Sequence, residues 1–118
     1  MTSFQCPSCH DYTLHISASV DVAPKNPMSS EETVQTIACS ACDFKGLALY
    51  LESHNDHVNH DGYELDLSSF EHLDTLLKKT LGGDTSAKQE LQTMHNLSFA
   101  DTPVKVQWRS IFPLHLKP

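Results

Sequence analysis

Four cysteines stand in two pairs, Cys6-Pro7-Ser8-Cys9 and Cys39-Ser40-Ala41-Cys42. A two-residue spacer lets one tight turn aim two sulfurs at one ion, and two such turns complete a tetrahedron. The pattern assigns Cys6, Cys9, Cys39 and Cys42 to a single metal site, with zinc as the expected ion. Two disulfides would require an oxidising compartment. The opening Met1-Thr2-Ser3-Phe4-Gln5 has neither the basic stretch nor the apolar core of a secretory signal. A thioredoxin-like redox pair should sit between a strand and a helix, whereas the first hook here runs into a strand pattern. A reduced, cytoplasmic protein is expected.

A second group with chemical potential is His54, His57 and His60, flanked by Asp56 and Asp61. Histidines three apart on a helix share a face, and short His-rich tracts can bind metal. Asn55, Asp56, Asn59 and Gly62 are poor helix formers, however, and no glutamate is placed as in H-E-x-x-H. The segment reads as a solvated polar loop. Its alternative is a second metal and a metal-dependent enzyme built on the three histidines. No phosphate-cradling glycine loop and no G-x-S-x-G motif is present, and no residue is assigned a catalytic role.

The elements that would position these groups follow from periodicity. Leu14, Ile16, Ala18, Val20 and Val22 alternate with polar residues, which predicts a half-buried strand with those five on one face. Pro24 and Pro27 end it, and 23–32 reads as an exposed loop. Thr33 to Ala38 is β-rich and leads into the second hook, and 44–51 reads as a strand leaving it. His10 and Asp43 follow the two hooks and belong to types that tolerate positive φ. The polar run 52–62 reads as a loop, with a helical turn as an option at its start, and 62–67 as a short strand or entry arm. Ser68 and Glu71 form a capping box for a helix carrying Phe70, Leu73, Leu77 and Leu81, which Gly82-Gly83 ends. Ser86 and Gln89 suggest a second box, before Leu91, Met94 and Leu97. Residues 104–108 alternate as a late strand, and Trp108 and Phe112 read as core.

The expected fold class is α+β: a small antiparallel sheet stapled by the four cysteines, then one or two helices and a late strand. All 118 residues suit one domain, with the metal-stapled part at about 1–51 and a helical and C-terminal segment at about 52–118. With 39% apolar residues the core is small, and a bound metal would add folding energy. The stapled part should therefore depend on its metal, and the helix on Phe70, Leu73 and Leu77. The net charge is −7, with eight acids against two lysines between residues 51 and 84. Nucleic-acid affinity rests on clustered Lys and Arg, which this chain lacks. A protein partner of basic character is expected instead. No stretch is long and apolar enough to span a membrane.

The two hooks with strands between them resemble the zinc-ribbon class, over roughly residues 4–51. The resemblance is carried by Cys6, Cys9, Cys39 and Cys42. It implies two knuckles at one end of a small antiparallel sheet, clamping one structural zinc, but no particular task. The cysteine spacing is also similar to that of rubredoxins, which carry one redox-active iron. Rubredoxins favour glycine after each hook, where this chain has His10 and Asp43. They also have an aromatic-rich segment between the hooks, where this chain has only Tyr12 ahead of its strand.

Overall fold

The computed structural model describes residues 3–114, with the course of the chain alone over 107–113. Five strands form one antiparallel sheet in sequence order: β1 (Leu14–Val22), β2 (Ser29–Cys39), β3 (Lys45–Ser53), β4 (Val58–Leu65) and β5 (Val106–Pro113). Two helices, α1 (Leu67–Leu81) and α2 (Thr85–Asn96), are inserted between β4 and β5. The architecture is α+β, as the sequence predicts.

Side-chain alternation splits the sheet into two unlike faces. On one face Val20, Val34 and Leu47 pack with Phe70, Leu73 and Leu77 of α1 and with Leu91 and Met94 of α2. On the other face Leu14, Ile37 and Ala48 pack with Phe4, Phe44, Cys6 and Cys39. β2 lies between β1 and β3, and every residue from Glu32 to Cys39 is buried. Residue 51, the expected end of the ribbon, falls inside β3. The helix-side core draws on strands both before and after it.

Several expectations are corrected here. The register of β1 on β2 shifts between Ile16 and Ala18. A bulge of this kind reverses the alternation, so Leu14 joins the cysteine-side core while Ala18 and Val20 join the helix side. Ile16, expected to share a buried face with them, is exposed. The polar stretch 52–62 is a hairpin rather than a loop or helical turn. β3 and β4 pair through Tyr50 with His60 and Leu51 with Asn59, and Asp56 takes the positive φ of the connection. Backbone pairing holds these polar strand ends without apolar alternation.

Both helices are capped two residues ahead of the expected boxes. Asp66, not Ser68, caps α1 by accepting from the Ser69 amide at 2.7 Å. Asp84, not Ser86, caps α2 by accepting from the Ala87 amide at 3.0 Å. Aspartate is as good an N-cap as serine, and each stands where the chain is still extended. Gly82 closes α1 as expected. Leu97 is exposed, and Phe99 takes the buried position expected of it. The late strand begins at Val106 instead of Val104. The side chains of Trp108 and Phe112 lie outside the described residues.

Glu32, expected in an exposed loop, is 1% exposed and pairs with His95, which is 0% exposed, at 2.6 Å. The Glu32 carboxylate also accepts from the amides of Lys25 and Asn26. Burial holds the His95 imidazole below its usual 6.5, so it donates from Nε2 as a neutral ring. Burial raises the Glu32 carboxyl, but the hydrogen bonds from His95 and the two amides outweigh it and leave the group below its usual 4.5. Among the described residues, His95 Nδ1 is buried without a partner.

Both groups bind protons more readily when unfolded, so the His95 contribution is present above pH 6.5 and is lost as pH falls from there, while the Glu32 contribution is present above pH 4.5 and is lost only below it. Leaving a buried hydrogen-bond partner unsatisfied costs about 1–3 kcal/mol. Urea unfolding should show that Glu32→Ala loses stability of that order. The wild type should also weaken more between pH 7 and pH 5 than a Glu32→Gln, His95→Leu double variant.

Candidate metal centre

The centre is assembled by two knuckles that the pairing of β1 with β2 brings together. The first precedes β1. The Cys6 amide donates to Asp11 O at 2.8 Å, and the His10 amide donates to Cys6 O at 2.9 Å. His10 closes this turn at φ 68°, as its residue type suggested. Asp43, expected to do the same at the second hook, keeps a negative φ. The second knuckle joins β2 to β3, and there the Cys39 amide donates to Phe44 O at 3.1 Å. Leu14 lies opposite Cys39 in the sheet, and the Ser40 amide donates to Thr13 O at 3.1 Å. The two turns are thereby tied to each other.

This geometry converges the four sulfurs. All lie within 4.8 Å of one another, with Cys6 and Cys42 at 3.6 Å and Cys9 and Cys39 at 3.7 Å. A zinc ion with bonds of ~2.3 Å to four sulfurs has tetrahedron edges of roughly 3.8 Å. All four cysteines are free of disulfides, since a disulfide would hold its sulfurs at about 2.05 Å. The group could hold a metal ion, and its donor set suits one that takes four thiolates.

Hydrogen bonds to the sulfurs support the charged form. In each hook the amide two residues after the first cysteine points at its sulfur: Ser8 to Cys6 at 3.4 Å and Ala41 to Cys39 at 3.3 Å. Thr13 Oγ1 lies 3.0 Å from Cys39 Sγ. Burial raises the Cys39 thiol, but the Thr13 hydroxyl and nearby amides outweigh it and bring it down to about 6. Burial pushes Cys6 up to about 12. Cys9 receives a lowering backbone hydrogen bond at Asp11, yet burial and the neighbouring Cys39 sulfur leave it above its usual value. One ready thiolate beside protonated thiols means that metal entry must release protons, so affinity rises with pH. Cys6 and Cys39 are buried, while Cys9 and Cys42 are half-buried and border the solvent side.

The three histidines do not converge. His54 and His57 are exposed at the β3–β4 hairpin. His60 lies on the cysteine side of the sheet, 2.6 Å from Gln35 Oε1 and edge-on to Phe4 and Tyr50. Among the described residues, Cys6, Cys9, Cys39 and Cys42 are the one cluster of potential metal ligands. Thr13 carries no signal in the sequence, because its position opposite Cys39 depends on strand register. No protein-family model, curated protein or solved structure matches the chain.

Outer partners of metal ligands typically change affinity 10–100-fold when lost. Thr13→Val should therefore weaken metal binding by about tenfold or more with the fold kept. Competition against a chromophoric chelator measures this.

Proposed function

We propose that Cys6, Cys9, Cys39 and Cys42 bind one structural Zn²⁺ as thiolates, and that the stapled chain, working as one domain, serves as a protein-interaction or regulatory module. The observation that carries the metal reading is the pair of sulfur distances, 3.6 Å and 3.7 Å, close to the edge of a zinc tetrathiolate. Four protein sulfurs fill the coordination sphere, which is the pattern of structural rather than catalytic zinc. Four unpaired cysteines suit a reducing compartment, so the proposed location is the cytoplasm. Among the described residues no helix is long and apolar enough to cross a membrane.

The interaction reading rests on charge. Of the eight acids between residues 51 and 84, Asp66 and Asp84 cap helices. Asp74 is held by Lys78 at 2.8 Å and Thr36 at 2.7 Å. Glu52, Asp56, Asp61, Glu64 and Glu71, all at least partly exposed, contribute to the outward field, which favours a basic protein surface over a phosphate backbone.

Metal analysis of protein purified without added metal should find one zinc per chain and a colourless product. An iron-loaded, coloured protein that titrates redox equivalents would replace this reading with an electron carrier. Chelation should lower hydrogen-exchange protection at 4–14 and 37–44 more than in α1, because the cysteine-side cluster holds little else, while α1 has its own packing partners.

A further inference from the structure

Against the helix side of the sheet, where the chain leaves α2, lies an apolar trough of about 240 Å³. Its walls are Leu47, Leu49 and Leu51 of β3, Tyr63 of β4, Val106 of β5 and Phe99. The three leucines alternate along one strand, so this wall runs roughly 13 Å at ~3.3 Å per residue. Leu49, Leu51, Tyr63 and Val106 are only partly buried, which leaves the trough accessible.

One end carries a cation. Lys25 also lines the trough, together with His95 and Ser98. The Lys25 amide is bonded to Glu32, which faces Leu51 in the sheet register. This puts the lysine at the Leu51 end. Its Nζ donates to Ser98 Oγ at 2.7 Å and to His95 O at 3.2 Å, which leaves one N–H of three without a partner among the described residues. None of the ion pairs among the described residues includes Lys25. The Glu32 carboxylate nearby is buried and already accepts from His95 and two amides.

The wall beside this cation is held in an uncommon conformation. Ser98 and Phe99 both take positive φ, 51° and 61°, which is rare outside glycine and especially so for a bulky residue. That turn sets the Ser98 hydroxyl against Lys25 and brings Phe99 into the trough. Backbone of this kind persists where surrounding contacts over-determine it, and such positions cluster at ligand clamps.

We propose that the trough binds a small apolar monocarboxylate. Its hydrocarbon tail lies along Leu47, Leu49, Leu51 and Phe99, and its carboxylate accepts from Lys25 Nζ and the Ser98 hydroxyl. The space equals about eight waters at ~30 Å³ each, which suits a short or medium-chain acid. The site uses none of the cysteines and stands apart from the metal reading.

The test is an NMR titration of the metal-loaded full chain with octanoate and with 1-octanol. Octanoate should shift the amides of Leu47, Leu49, Leu51 and Phe99 saturably. Octanol should bind the same residues about tenfold more weakly, the scale of one charge-assisted hydrogen bond. Lys25→Met should abolish that preference by weakening octanoate alone, and Lys25→Arg should keep it. Equal affinity for the two probes in the wild type overturns the proposal. So do octanoate shifts confined to other residues, the absence of saturable binding, or undiminished octanoate binding by Lys25→Met.

Discussion

The register of β1 on β2 is the constraint on which the rest depends. Leu14 opposite Cys39 places the turn before β1 beside the turn after β2, and four sulfurs come within 4.8 Å. A slip of one residue would send every side chain of β1 to the opposite face. It would also carry Thr13 away from Cys39. The register is fixed from both ends: the Ser40 amide is bonded to Thr13 O, and Thr33 Oγ1 donates to Asp21 at 2.9 Å.

Through β2 the same constraint reaches both cores. Val34 and Ala38 face the helices while Ile37 and Cys39 face the cysteine side, so a change at the cysteine cluster acts on a strand that both cores share. Gly46 shows how closely the neighbouring strands approach there. A Cβ at this position would stand 2.5 Å from Tyr63 O and 3.1 Å from the Ile37 side chain, so no larger residue fits without backbone movement. At the far end of β2 the chemistry changes from sulfur to the buried pair of Glu32 and His95, which links the β1–β2 connection to α2. Lys25 adds a second link, donating to His95 O and Ser98.

Much of this is legible in the sequence because it is local. The hooks, the alternation in β1 from Ala18 onward, the apolar run of β3 and the stripe of α1 all state their structure within a few residues. What is not legible depends on partners far along the chain. A bulge at Ile16–Ala18 has no residue signature, so alternation alone puts Ile16 on the wrong face. β4 carries polar residues paired by backbone, and without apolar alternation it resembles a loop. Glu32 and His95 are 63 positions apart. Each looks like an ordinary polar residue, one in a loop and one on a helix, until the fold buries them together. The capping aspartates are hidden for another reason: a Ser-x-x-Glu pattern and an Asp two residues earlier are competing N-cap signals, and only the path of the preceding chain decides between them. The histidine cluster shows the reverse error that spacing alone invites. His54, His57 and His60 are regular in sequence, but a hairpin sends them to different surroundings.

The central claim is that one zinc sits among four cysteine sulfurs. X-ray absorption at the zinc edge of the purified protein tests it most directly. The account predicts a single shell of four sulfur neighbours at about 2.3 Å and no light-atom ligand. A first shell with nitrogen or oxygen, or with fewer than four sulfurs, would contradict it.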